Sequence, residues 1–70
     1  MQNVNFINLF MQRNLYCAYI NNKRVYSKTA QKLANVLARY MLNAQVSYCN
    51  KLNKQQQQTM QNIVQQAQKR

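Results

Sequence analysis

The most regular pattern in the chain is KTAQKLANVLARYMLNAQVSYCNKL, which runs from Lys28 to Leu52. Its apolar side chains return every three or four positions, and on a helical wheel they project within about 160° of one face. The spacing predicts an amphipathic helix that begins near Lys28, where Ser27 or Thr29 can cap the first turn. The side chains of this apolar face are Leu33, Val36, Leu37, Tyr40, Met41, Ala44, Tyr48 and Leu52.

The last part of the chain, Lys51 to Arg70, is rich in glutamine. Because glutamine has good helix propensity, the helix is expected to run on, so that residues 28–68 form one long helix, straight or kinked. Such a helix would be roughly 60 Å long at about 1.5 Å per residue. It would have no core of its own and would need a large neighbour. Its C-terminal part carries a shorter apolar stripe, which consists of Met60, Ile63, Val64 and Ala67.

The first part of the chain, residues 1–20, also fits an amphipathic helix. A strand is the competing interpretation, because Tyr16 to Ile20 is rich in aromatic and hydrophobic side chains. Residues 21–27 would connect the two helices through a turn, since adjacent asparagines hydrogen-bond to nearby backbone. The narrow polar strip of the first helix consists of Asn5, Asn8 and Gln12.

The chain contains neither glycine nor proline. Both residues interrupt helices, and glycine also supplies the backbone conformation that most short β-hairpin turns need. Their absence therefore favours helices and disfavours an all-β fold. We expect an all-α chain, with residues 1–70 forming a single small helical subunit: an N-terminal amphipathic helix, an asparagine-rich turn and one long helix. Its shape should be extended rather than independently globular.

The charged residues are all basic: ten are lysine or arginine, and none is aspartate, glutamate or histidine. General acid–base catalysis falls mainly to the three missing types. Metal sites need histidine, carboxylate or several cysteines, and only Cys17 and Cys49 are present. The composition predicts that the protein is not an enzyme and has no cofactor, no metal and no small-molecule substrate. The cysteines fit best as small buried hydrophobes in a reducing compartment.

An acid-free chain cannot form ion pairs between its own side chains, and its like charges repel one another. We therefore expect an anionic partner, rRNA or another polyanion, from which the chain borrows stability. Lys28, Lys32 and Arg39 lie close together on the helical wheel, where they can neutralise phosphates. The complete set of predicted RNA-binding residues is Lys23, Arg24, Lys28, Lys32, Arg39, Lys51, Lys54, Lys69 and Arg70.

The apolar side of the second helix predicts a contact with protein, either the first helix or a neighbouring subunit. These features together indicate a non-catalytic structural subunit of a large ribonucleoprotein, and a mitochondrial ribosomal protein that contacts rRNA phosphates and neighbouring proteins fits best. The alternative is an accessory subunit of a mitochondrial inner-membrane respiratory or ATP synthase complex. A free basic peptide acting on membranes or DNA fits less well. The predicted protein-interface residues are Leu33, Leu37, Tyr40, Met41, Ala44 and Tyr48.

Residues 1–27 are acid-free and amphipathic on the helical wheel, which resembles a mitochondrial presequence. Within them, Arg24 to Ser27 resembles the arginine-containing pattern recognised by the matrix processing peptidase. The expected location is therefore the mitochondrial matrix. No apolar run approaches the roughly 20 residues of a membrane-spanning helix, so membrane contact is expected only at a surface.

Overall fold

Three consecutive strands begin the domain in the computed structural model, which describes residues 4–69 of the chain. They are β1 (Asn5–Gln12), β2 (Leu15–Ile20) and β3 (Lys23–Ser27). Each strand is antiparallel to the next, so the three form a meander with β2 in the middle.

The second half of the domain contains two helices and one further strand. Helix α1 (Ala30–Ala38) is followed by a 3-10 turn (Met41–Asn43), strand β4 (Ala44–Tyr48) and helix α2 (Lys54–Gln68). β4 pairs with β1 in parallel, which gives a mixed sheet with the strand order β3-β2-β1-β4. The chain therefore crosses from one edge of the sheet to the other through α1.

The prediction of an all-α, extended chain is wrong. The described residues form a small α/β domain with a four-stranded mixed sheet and two helices. The Cα radius of gyration is 11.2 Å, and a folded domain of this length is expected to have a radius of about 11 Å. The described residues therefore form a compact domain.

The hairpin of β1 and β2 occupies the segment for which we favoured a helix. In β1, Ile7 and Leu9 are buried whereas Phe6 is exposed, which is the alternation of a strand with one covered face. Because aromatic side chains also stand on the uncovered face of the sheet, both sides of each strand are rich in apolar residues. On a helical wheel these residues fill most of the circumference, which is the pattern of a buried helix. The strand interpretation of Tyr16 to Ile20 is the one that is confirmed.

The two hairpin turns form without glycine. Arg13 and Asn14 join β1 to β2 with φ values of 49° and 62°, and Asn21 and Asn22 join β2 to β3 with φ values of 51° and 72°. Two consecutive left-handed residues are the signature of the tight turns that match the twist of a hairpin. Asparagine tolerates this conformation better than most residues, and this is how the chain turns without glycine.

The predicted long helix is interrupted, although its beginning is confirmed. Thr29 caps α1, because its side-chain oxygen accepts a hydrogen bond from the backbone N–H of Lys32 at 3.2 Å. Arg39 is the C-terminal cap of α1, and of the residues that would have continued its apolar face, Tyr40 and Met41 form the 3-10 turn and its cap, while Ala44 and Tyr48 belong to β4. Val46 and Tyr48 suit a strand, and pairing with β1 overrides the helical pattern in which they stand.

Helix α2 coincides with the glutamine-rich segment, where the sequence predicted a helix. A capping box begins it: Gln56 N–H donates to the Asn53 side chain at 2.8 Å, and Asn53 N–H donates to the Gln56 side chain at 3.0 Å. The apolar stripe of this helix is buried as its spacing predicted, and it consists of Met60, Ile63, Val64 and Ala67.

The core lies between one face of the sheet and the two helices. The expectation that the chain has no core of its own is therefore wrong. Burial of these side chains is the main source of stability, since the chain has no acid with which to form ion pairs. The sheet and α1 contribute Ile7, Leu9, Ala18, Ile20, Leu33, Ala34 and Leu37, and α2 contributes the four residues of its stripe.

Candidate nucleic-acid interface

The second face of the sheet, which we call the open face, carries no helix among the described elements. Strand alternation and register place its side chains opposite those of the core. Several of them are large and exposed: Phe6 is 59% exposed, Tyr26 45% and Tyr19 39%. The residues of the open face are Phe6, Asn8, Phe10, Gln12, Leu15, Cys17, Tyr19, Arg24, Tyr26, Gln45 and Ser47.

Two aromatic rings stack on one another at the centre of this face. The ring centroids of Phe10 and Tyr19 are 5.0 Å apart, and their planes differ by 24°. The two residues stand on neighbouring strands, in a diagonal relation that lets large rings meet. The pair presents π surface to solvent on a rigid sheet.

A guanidinium group adjoins the aromatic pair. The Arg24 guanidinium carbon lies 5.6 Å from the ring centroid of Tyr19 and 5.8 Å from that of Tyr26. Arg24 also donates a hydrogen bond to the Tyr26 hydroxyl at 2.6 Å, and this bond raises the pKa of the Arg24 guanidinium. The hydrogen bond and the rings hold a permanent positive charge in place among aromatic surfaces.

The free cysteine Cys17 lies in the middle of the open face, yet its side chain is fully buried. Its cross-strand neighbours are Phe10 and Tyr26, whose bulk shields a small thiol between them. Burial raises the pKa of the Cys17 thiol, so the thiol stays protonated at neutral pH. This cysteine therefore packs between the aromatic rings as a small protonated side chain.

Polar groups occupy the β4 side of the open face. Asn8 donates a hydrogen bond to the Ser47 hydroxyl at 2.8 Å, and Ser47 donates to the backbone carbonyl of Ile7 at 3.4 Å. A groove of about 460 Å³ lies between Asn8 and the loop that leads into α2, where Lys51 forms part of its wall. The face thus combines aromatic rings, amides, a hydroxyl and fixed positive charge.

The predicted RNA-binding residues that the structure describes are all exposed, but they do not form one flank of one helix. Lys23 and Arg24 belong to β3, and of the two only Arg24 faces the open side. Lys28 and Lys32 are brought together beside the edge of the sheet, where they line a groove with Tyr26. The others are spread over separate sites: Arg39 ends α1, Lys51 lies in a loop, and Lys54 and Lys69 stand at opposite ends of α2. Arg70 lies outside the described residues.

The predicted protein-interface residues fall in separate elements. Leu33 and Leu37 are fully buried in the core, so they leave no surface for a neighbouring subunit. The remaining members are partly buried and belong to the 3-10 turn, its cap and β4: Tyr40, Met41, Ala44 and Tyr48. Beside them, Leu42 is the most exposed large hydrophobic residue of the described chain.

The open face was not predicted from the sequence, because residues 1–20 were placed on a helical wheel and not at the alternating positions of strands. A signal was present. Two polar pairs, Arg13–Asn14 and Asn21–Asn22, contain asparagine, which tolerates a left-handed turn, and they separate three short segments that contain β-formers. Reading those segments with a period of two places Phe10 and Tyr19 on one side together.

Residues 4–69 contain no group of three or more metal-binding side chains, and within that range no helix is long and apolar enough to cross a membrane. No protein-family model, curated protein or solved structure matches the chain. The assignment of function therefore rests on the chemistry of the open face and of the basic residues around it.

Proposed function

We propose that the chain is a non-catalytic RNA-binding subunit of a large ribonucleoprotein. The observation that carries this proposal is Arg24, held against two tyrosine rings on an open sheet face, in a chain without a single acidic residue. Positive charge beside aromatic surface suits a polyanion that carries bases. The absence of acids removes every side chain that would repel phosphate.

The distribution of charge supports a structural role. Arg24 faces the open side of the sheet, Lys28 and Lys32 stand together at its edge, and Lys54 and Lys69 mark the ends of α2. A domain with exposed cations on several sides contacts phosphates of more than one RNA segment. A subunit that sits between RNA segments and bridges them would use such a surface.

A mitochondrial ribosome is the assembly that we propose. The support is the acid-free, arginine-containing segment at residues 1–27, although those of its residues that are described form strands rather than an amphipathic helix. Import of a full-length fusion into isolated mitochondria tests the location. Retention of the fusion outside the organelle, under conditions in which a known matrix protein enters, would overturn this part of the proposal.

The test of the proposed function is co-sedimentation of the native protein with its particle. We expect RNase to release the protein into the light fractions, because RNA phosphates hold it. Detergent alone should leave it bound. Release by detergent and resistance to RNase would favour the inner-membrane accessory subunit and contradict the proposal.

A quantitative test uses the purified chain and the salt dependence of its RNA affinity. Replacing Lys28 and Lys32 together with glutamine should lower the slope of log affinity against log salt by about two, because each lysine accounts for about one phosphate contact. The matched control replaces Gln57 and Gln65, two exposed residues of α2, with alanine and should leave the slope unchanged. An equal slope in both variants would show that the Lys28 and Lys32 surface does not contact RNA.

A further inference from the structure

We propose that the open face binds unpaired nucleotides of single-stranded RNA, with bases stacked on Phe10 and Tyr26, the rings on either side of Tyr19, and a phosphate held by Arg24. This inference rests on the proposed function, and it names the part of the RNA that is recognised. It also assigns separate roles to two surfaces: the open face contacts bases, and the Lys28 and Lys32 edge contacts only backbone.

The geometry of the rings suits successive bases. Phe10, Tyr19 and Tyr26 stand on β1, β2 and β3, three adjacent strands. Neighbouring strands are about 4.8 Å apart, so the rings span roughly 10 Å across the sheet. Sheets that bind single-stranded RNA stack two or three bases on aromatic side chains. The open face offers that number of rings on a rigid support.

The polar groups beside the rings suit base edges. Asn8, which lines the groove, is already joined to Ser47 by a hydrogen bond, and this bond fixes the orientation of both side chains. Gln45 is exposed next to them and provides both a donor and an acceptor. Unpaired bases expose their Watson–Crick edges to such groups, whereas in a duplex those edges are occupied.

The charge of the face identifies its occupant as an anion. Arg24 already donates to a tyrosine hydroxyl, but a guanidinium has further N–H donors, and the chain has no side-chain carboxylate to take them. Lys51 lines the groove of about 460 Å³ beside the rings, which Phe10 and Tyr19 also line. A strand that crosses the rings would therefore meet a cation on each side of the stacked bases.

A duplex does not fit this arrangement. Its bases are stacked on one another, so their faces are unavailable to Phe10 and Tyr26. An apolar protein surface fits no better, because it would remove the Arg24 charge from water without supplying an acid to pair with it. The observations therefore favour a single strand over both alternatives.

The decisive measurement compares two labelled RNAs of equal length, about eight nucleotides per strand, one single-stranded and one a duplex. We expect the full chain to bind the single strand at least about tenfold more tightly at the same salt concentration. Tyrosine fluorescence should be quenched on binding. The chain has five tyrosines and no tryptophan, and two of these tyrosines, Tyr19 and Tyr26, stand on the open face, so their share of the signal should be quenched.

Substitutions then locate the contact. Tyr26→Ala should weaken single-strand binding by about tenfold and leave duplex binding unchanged, while Tyr26→Phe keeps the ring and should retain most of the affinity. Tyr19→Ala should also weaken single-strand binding, because the Tyr19 ring supports both Phe10 and Arg24. Tyr26 is 45% exposed on an edge strand, so its variant remains informative if Tyr19→Ala unfolds the chain. The matched control is Leu42→Ala, which removes an exposed hydrophobic side chain away from the open face.

The outcomes separate this inference from the proposed function. Equal affinity for single strand and duplex, with no effect of Tyr26→Ala but a loss on Lys28→Gln, would overturn the stacking proposal and leave the RNA-binding function standing. Loss of binding to either RNA in the unaltered chain would overturn both. If Tyr26→Ala abolished an association with the particle that RNase does not disturb, the face would be a protein contact and the inference would be wrong.

Discussion

The two faces of the sheet are built from the same strands but have different surroundings. On the covered face, Ile7 and Leu9 are at most 1% exposed beneath the helices. On the open face, Phe6 and Tyr26 keep about half of their surface in contact with solvent, and Arg24 adds a charge. Alternation along a strand places neighbouring residues in these two environments.

The difference between the faces separates stability from function. Side chains on the covered face hold the domain together, because their burial is the main favourable term in folding. Large aromatic residues on the open face cost solubility and contribute less to the fold. A polar face with a few scattered hydrophobes would require no explanation, but a stacked pair beside an arginine on an acid-free chain indicates a binding surface.

The largest expected effect is on stability and comes from the covered face. Leu9→Ala should lower the free energy of unfolding by about 3 kcal/mol, through lost burial and the cavity left behind. A core of this size supplies only about 3–5 kcal/mol, so the variant should be largely unfolded. Tyr26→Ala on the open face should cost less than about 1 kcal/mol. Urea denaturation followed by circular dichroism measures both, and equal losses would contradict the division between the faces.

The next largest effect is expected from the turn between β2 and β3. This turn fixes the register of the two strands and therefore which side chains lie on each face of the sheet. Asn22→Val should destabilise the domain by about 1–2 kcal/mol, because a β-branched residue disfavours the left-handed conformation that Asn22 adopts with a φ of 72°. Asn22→Gly should preserve or raise stability, since glycine adopts this conformation freely.

The matched control for the turn is Asn62→Val, on the exposed side of α2. It should lower the thermal midpoint less than Asn22→Val does. If the two valine variants melted at the same temperature, the turn conformation would not limit stability.

The smallest expected effect is a dependence of the free energy of unfolding on pH. It comes from Cys17, an open-face residue whose side chain is as fully buried as those of the core. Burial raises the pKa of Cys17, so above a pH of about 8.5 the unfolded thiol releases its proton while the folded one keeps it. The free energy of unfolding should therefore fall as the pH rises through this range. In Cys17→Ala this part of the fall should disappear.

The hydroxyl of Tyr48 provides the control for that experiment. Burial also raises the pKa of Tyr48, so a separate decline above a pH of about 10 should remain in Cys17→Ala. Urea melts at intervals of pH measure both declines. The same pH profile with and without the Cys17 thiol would mean that this thiol is not shielded by the rings around it.

The helices that could be predicted from the sequence are those that are specified by interactions between residues close together in the chain. Thr29 caps α1 through a residue three positions away, and the stripe that contains Met60 and Ile63 repeats within a single helix. Each of these signals lies within one segment, so periodicity and capping rules detect it.

The strands could not be predicted in the same way, because their partners are distant in the chain. Ile7 pairs with Ile20 on one side and with Val46 on the other, a separation of 39 residues that no local rule connects. Tyr48 also fits the wheel that begins at Lys28, so only pairing with Leu9 decides that it belongs to a strand. The candidate site depends on the same pairings and was missed for the same reason.

The sequence by itself determined the charge and the chemistry of this protein. A chain with ten basic residues and no acid or histidine has an anionic partner as its expected ligand, whatever its fold. Only the tertiary structure decided where that charge stands. Arg24 comes to lie among the rings of Tyr19 and Tyr26 because two hairpin turns and a sheet register align three strands, and register depends on the packing of the opposite face against the helices.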